Sequence, residues 1–104
     1  MMPSPALDRL VELNTKECLW VYILRILRDR PVHAYLIRSE IDKRFGFKPG
    51  TMTAYKVLYL LTRDSLVQKK QEGRKKVYRI TPKGRQELAK AVKFYKERAS
   101  LLEK

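Results

Sequence analysis

Between Thr51 and Arg85 the hydrophobic period changes twice, and that change restricts the fold more than any other feature of the chain. Ala54, Val57, Leu58 and Leu61 recur at i, i+3, i+4 and i+7, one face of a helix over about Thr51–Asp64. Leu66–Gln71 and Val77–Ile80 then read as strands, with Tyr78 and Ile80 alternating with Arg79 as a half-buried ribbon requires. Glu72-Gly73-Arg74-Lys75-Lys76 between them is a basic turn, for which Gly73 supplies the backbone freedom. Thr81-Pro82-Lys83-Gly84-Arg85 has the residues of a helix start, a hydroxyl side chain followed by proline. Helix, basic hairpin and capped helix in that order are the parts of a winged helix-turn-helix, which lays a helix in a DNA groove and a hairpin beside it.

The flanking segments are helical. Leu7, Leu10, Val11 and Asn14 fall at helical spacing and predict a short amphipathic helix over Ser4–Leu13, with Pro5 in its first turn. Asn14 with Glu17 resembles a capping box that starts or re-registers a helix there, over about Thr15–Arg28. That helix carries Leu19, Trp20, Val21, Tyr22, Ile23, Leu24, Ile26 and Leu27 and is apolar nearly all round. A helix without a polar face needs cover on both sides, so Leu19, Trp20 and Ile23 are expected against a second subunit. Pro31 breaks the chain, a helix over about His33–Arg44 turns Leu36, Ile37 and Ile41 inward, and Gly46 ends it. Phe47-Lys48-Pro49-Gly50 forms the next turn. The last helix, from Pro82 to about Leu102, holds Leu88, Val92, Tyr95, Ala99 and Leu102 at spacings of 4, 3, 4 and 3. That is the seam of a short coiled coil and the second expected dimer surface. The fold class expected is mainly α with a small two-stranded hairpin. It comprises one domain over residues 1–104, with a winged-helix core at about 15–81 and a dimerisation helix at 82–104.

A chain of 104 residues suits one modest core, and its 44% apolar content is that of a folded protein. A net charge of +13 and a pI near 10.1 favour a polyanionic partner, nucleic acid or an acidic membrane surface. The longest apolar stretch, Cys18–Leu24, is far short of a membrane span and stops at Arg25, so no membrane partner is expected. Met1–Leu13 has neither the basic start nor the apolar run of a secretory signal. With one cysteine, Cys18, no disulfide forms within the chain, and the location expected is cytoplasmic. Cys18 and His33 together fall short of a structural metal site; Cys18 reads as a packing residue and His33 as a helix-start or packing residue, so neither metal nor cofactor is expected. The eleven acids are scattered and the four glycines form no phosphate-binding pattern, so an enzyme is not indicated. Trp20 offers a small-molecule pocket or ordinary packing, packing being the commoner outcome, and no effector is indicated.

The candidate contacts with double-stranded DNA lie on the outer face and N-terminal end of the Thr51 helix. Thr51, Thr53, Tyr55, Lys56 and Arg63 supply them, Lys and Arg serving guanine edges or phosphates alike. Lys69, Lys70, Arg74, Lys75 and Lys76 supply the hairpin's charge, with only Glu72 opposing them. A solvated surface is the plainer reading of such charges. Their place at the tip beside the candidate recognition helix favours phosphate contact. Tyr59 and Leu60, apolar members of the outward face, suit thymine methyls, packing on the hairpin or a partner protein, packing being the commoner outcome.

Four motifs together resemble the PadR-like family of winged-helix transcriptional regulators. His33-Ala34-Tyr35 resembles that family's His-Gly-Tyr, and Thr53-Ala54-Tyr55-Lys56-Val57-Leu58 its Thr-Leu-Tyr-Pro-x-Leu. Asp64-Ser65-Leu66-Val67 stands where the family has Glu-Gly-Leu-Val, and Lys76-Val77-Tyr78-Arg79-Ile80-Thr81-Pro82-Lys83-Gly84 resembles its Lys-x-Tyr-x-Leu-Thr-x-x-Gly. Ala34, Lys56 and Ser65 depart from the usual Gly, Pro and Gly. The resemblance implies a homodimer, formed through the first and last helices, that binds a pseudo-palindromic operator and usually represses transcription. A non-specific architectural DNA-binding protein, an RNA-binding winged helix and a protein-interaction module are the competing expectations.

Overall fold

A computed structural model describes residues 4–104; residues 1–3 of the expected domain lie outside the described residues. The elements are α1 (Pro5–Asn14), a 3-10 turn (Lys16–Cys18), α2 (Leu19–Asp29), β1 (Val32–His33), α3 (Ala34–Phe45), α4 (Thr51–Arg63), β2 (Val67–Glu72), β3 (Lys75–Ile80) and α5 (Pro82–Glu103).

The apolar helix α2 is the centre of the fold. Its Leu19, Ile23, Leu24, Ile26 and Leu27 are at most 2% exposed, and α3, α4, α5 and β3 all pack around it. This corrects the expectation that Leu19 and Ile23 face a second subunit: three helices and a strand of the same chain already cover them. Each such side chain contributes about 1.5–3 kcal/mol of burial, which is why a domain of this size places its most apolar helix in the middle. Trp20 is half-buried. The expected capping box is also corrected. Asn14 lies inside α1 and donates from Nδ2 to the Leu10 carbonyl at 2.8 Å, while the Thr15 hydroxyl donates to the Val11 carbonyl at 2.7 Å. Both side chains close the end of α1, and the chain reaches α2 through the 3-10 turn instead.

The sheet has three strands in the order β1-β3-β2, not two. Val32 pairs with Tyr78 and His33 with Val77, antiparallel. A strand of two residues after Pro31 is too short to show alternation. Its presence makes β3 the central strand, which accounts for burial of the adjacent Val77 and Tyr78 on a ribbon whose β2 strand is exposed from Gln68 to Glu72. The hairpin turn is also tighter than the basic run suggests. Glu72 pairs with Lys75, so only Gly73-Arg74 form the loop, and Lys75 and Lys76 belong to β3. Gly73 takes φ +60°, the first central position of a two-residue turn that only glycine enters without strain.

A knot of backbone contacts joins the end of α4 to the start of α5. Ser65 takes φ +63°, with its N–H bonded to the Thr62 carbonyl at 3.1 Å and the Leu66 N–H bonded to the Leu61 carbonyl at 2.9 Å. This is a Schellman ending with serine in the position that favours glycine. The Thr81 hydroxyl donates to the Ser65 carbonyl at 2.6 Å and accepts from the Gly84 N–H at 2.9 Å, so one side chain ties the turn and caps α5. A Cβ on Gly84 would overlap the Leu66 carbonyl oxygen. The Thr-Pro-Lys-Gly sequence is therefore a packing requirement of this corner as well as a helix start.

The terminal helices differ from this body. Every residue from Pro5 to Leu13 of α1 is exposed, including its apolar row Leu7, Leu10 and Val11. On α5 the expected seam divides. Leu88 is sunk in the chain's own core, which corrects its assignment to a dimer surface, and Tyr95 is half-buried, while Val92, Ala99 and Leu102 are exposed. Phe94 and Leu101 add to the uncovered apolar surface.

Candidate nucleic-acid interface

The helix-turn-helix is α3, the turn after Gly46, and α4. Gly46 ends α3 at φ +78°. Arg38 of α3 donates from Nε to the carbonyl of buried Pro49 at 2.7 Å, which fixes the turn that presents α4. Gly50 occupies the N-cap of α4 and offers no side chain to the first-turn amides, so these remain for water or an anion.

Ala54, Leu58 and Leu61 anchor α4 in the core, with Val57 half-buried beside them. Helical geometry divides the remaining residues among three rows. Met52, Lys56, Tyr59 and Arg63 project directly away from the core; Met52 is 87% exposed and Tyr59 62%. Thr51, Tyr55 and Thr62 lie on the flank facing the sheet. Burial, and secondarily the neighbouring Tyr55, push the Tyr78 hydroxyl above the ordinary tyrosine range. Thr53 and Leu60 lie on the opposite flank and, with Lys56, Arg63 and Trp20, line a groove of about 470 Å³ against the start of α2. Leu60 is half-buried there, so packing claims it, while Tyr59 stays open.

Arg63 is on the outward row, but its Nε donates to Asp64 Oδ1 at 3.1 Å. That bond, together with the carboxylate's charge, raises the guanidinium pKa further and commits one of its donor edges locally. Lys56 makes no ion pair among the described residues. On the hairpin, Lys69, Lys70, Arg74, Lys75 and Lys76 are all exposed. Lys75 differs in holding its ammonium 5.5 Å from the centre of the Tyr35 ring, a cation–π contact that ties the ribbon to α3. The register places Lys69 beside Tyr78 and Lys70 beside Val77, so successive lysines leave opposite faces of the ribbon.

Two residues were absent from the sequence reading of the site. Arg79 is exposed and shares a polar cleft of about 550 Å³ with Thr62, Ser65, Gln68, Lys69 and Lys70, between the ribbon's outer edge and the end of α4. Its alternation with Tyr78 and Ile80 was the signal that could have found it. Met52 is the other; its helical angle from Ala54 and Leu58 put it outward, but it is neither charged nor polar. Among the described residues, no group of three or more His, Cys, Asp or Glu side chains is placed to hold a metal. No described helix is long and apolar enough to cross a membrane.

Solved structures share this fold. A transcriptional regulator from Clostridium thermocellum superposes with a TM-score of 0.74 at 19% identity, covering 81% of this chain and 88% of that one. F93 from STIV, a winged-helix DNA-binding protein, gives 0.69 at 22% identity, over 79% and 90%. Bacillus subtilis PadR in complex with operator DNA gives 0.62 at 27% identity, over 72% of this chain and 46% of the longer one. No curated protein is detectably similar in sequence. The sequence model of the transcriptional regulator PadR-like family matches residues 23–90, from the middle of α2 to just past Leu88, so it includes both α4 and the ribbon. The chain is a winged helix-turn-helix protein and belongs to the PadR-like family of transcriptional regulators.

Proposed function

We propose that the protein is a sequence-specific DNA-binding regulator, a repressor in its usual action, that binds a pseudo-palindromic operator as a homodimer. The observation that carries this reading is the pairing of two unlike surfaces. The outward row of α4 begins at uncapped amides, and beside it stands a ribbon whose Lys69, Lys70, Arg74 and Lys76 make no ion pair among the described residues. Thr51, Thr53, Tyr55 and Lys56 enter the major groove, Arg63 assists from its bond with Asp64, and the ribbon with Arg79 holds flanking phosphates. The second copy docks on the uncovered apolar rows of α1 and the distal part of α5, including Val92, Ala99 and Leu102, with the half-buried Trp20 and Tyr95 at the border. Two-fold symmetry then sets half-sites about one helical turn, ~34 Å, apart. The protein acts where the DNA is, in the cytoplasm, and no small-molecule effector is assigned.

Selection from a random duplex library at moderate salt tests this. The expected result is an enriched inverted repeat, with log K falling against log salt at a slope of about −5 to −9 for ~6–10 neutralised phosphates. A slope near zero would contradict DNA binding by this surface. The excess of ribbon cations also favours an architectural role without sequence preference; tight binding with no enrichment would establish that reading instead.

A further inference from the structure

The bidentate donors that ordinarily read bases are scarce on α4, whose first turn offers only the single hydroxyls of Thr51 and Thr53. Asparagine and glutamine, which read adenine bidentately, do not occur between Thr51 and Arg63. Arg63 stands in the last turn, bonded to Asp64, whereas base contacts come mainly from the first turns of a recognition helix. Lys56 is a single flexible point donor. The outward row instead leads with Met52, 87% exposed in the first turn, and carries Tyr59 two turns later, 62% exposed. Both flank Lys56 on a basic surface facing away from the core, while the uncovered apolar rows of α1 and distal α5 lie on other elements. In the major groove the distinctive apolar group is the thymine C5-methyl.

We propose that Met52 is a specificity-determining residue that reads a thymine C5-methyl group in each half-site, with Tyr59 making a second apolar contact further along the groove and Lys56 bonding a guanine edge or phosphate between them. The inference rests on the proposed DNA-binding function and deepens it. The operator is a thymine-bearing sequence whose identity at one or two positions resides in a methyl group, with no hydrogen bond to report it. Met suits that task, since its unbranched thioether adapts to an apolar surface without demanding a polar partner.

The test substitutes deoxyuridine for each thymidine of the selected operator in turn, which removes the methyl and keeps every hydrogen-bonding group. Binding is read by fluorescence anisotropy. The expected result is a loss of roughly fourfold at one or two positions per half-site, the equilibrium equivalent of one buried carbon, and near-equal affinity elsewhere. Met52→Ala should abolish the discrimination at one of those positions, while Lys56→Ala should lower affinity and leave it intact. Met52 lies on the surface, so its truncation leaves the fold unchanged; circular dichroism checks this. Equal affinity for all deoxyuridine duplexes, by a protein that still prefers its operator, would overturn the inference and leave the proposed function standing. So would discrimination that survives Met52→Ala undiminished at every one of those positions. Absence of any preferred duplex would overturn the proposed function itself.

Discussion

The body of the molecule and its two terminal arms solve the same problem differently. In the body, from α2 to Leu88, the main apolar rows are covered by the same chain: α2 by three helices and a strand, α4 through Ala54, Leu58 and Leu61, and β3 as the central strand. The arms have helical sequence without that cover. α1 leaves Leu7, Leu10 and Val11 more than half exposed, and α5 beyond Leu88 leaves Phe94, Leu101 and Leu102 so. Periodicity alone does not distinguish the two cases, because an apolar row says only that something covers it. The contrast fits the proposed division of work: the body covers its own apolar rows and presents α4 and the ribbon, and in the proposed homodimer the arms are the surface that receives a second copy.

The largest effect that would sharpen this contrast is at the body's tightest corner. Gly84→Ala drives a methyl into the Leu66 carbonyl, and chemical denaturation should show a loss of about 3 kcal/mol. Unchanged stability would mean that the corner is looser than its contacts indicate. In the arms, Leu10→Asp with Leu102→Asp should move unfolding of the monomer by no more than about 0.5 kcal/mol. Sedimentation should nevertheless show dimer dissociation raised at least about 100-fold, or roughly 2.7 kcal/mol. If the same pair unfolds the chain, the division between body and arms is wrong.

On the proposed DNA-facing surface, Arg74→Ala with Lys76→Ala should weaken binding to all duplexes alike and reduce the salt slope by about 2, Lys75 being left in place because it holds Tyr35. A sequence-dependent loss would instead assign base reading to the ribbon. Ser65→Gly should stabilise the body by about 1 kcal/mol, because Ser65 sits at φ +63° where a β-carbon is unfavourable. The smallest effect is alkaline. Burial first, and then its bond to Cys18 at 3.6 Å, push the Tyr95 hydroxyl from 10.0 up to about 12. The fold favours the neutral phenol, so this contribution is full below pH 10 and is lost as pH rises from 10 to about 12. Denaturant midpoints of Tyr95→Phe should therefore fall less over that range than those of the wild type.

What the sequence made legible follows from which interactions are local. The predicted Thr51–Asp64 helix ends one residue early at Arg63, and Gly46 ends α3 as expected, because the apolar period and a left-handed glycine are read within one or two turns. Strand β1 was not legible, since two residues show no period and gain their identity only from pairing with β3. The capping reading failed because Asn14 and Thr15 bond backward into α1, a choice that spacing leaves open. Leu88 belongs to two patterns at once, core and seam, and only the packing of α5 on α2 decides between them. At the site, exposure of Lys69, Lys70, Arg74 and Lys76 was readable from their charge and their place around the hairpin tip. The partners that distinguish Arg63 and Lys75 from their neighbours were not: Asp64 is a sequence neighbour without helical spacing, and Tyr35 lies on another element.

The most direct test of the division of labour is the stoichiometry of the DNA complex, measured by sedimentation on a duplex carrying the selected inverted repeat. The wild type should place two chains on each duplex, and the Leu10→Asp, Leu102→Asp variant should fill one half-site at a time with no cooperativity while still preferring the same half-site. One wild-type chain per duplex, or a variant that binds as cooperatively as the wild type, would contradict the account.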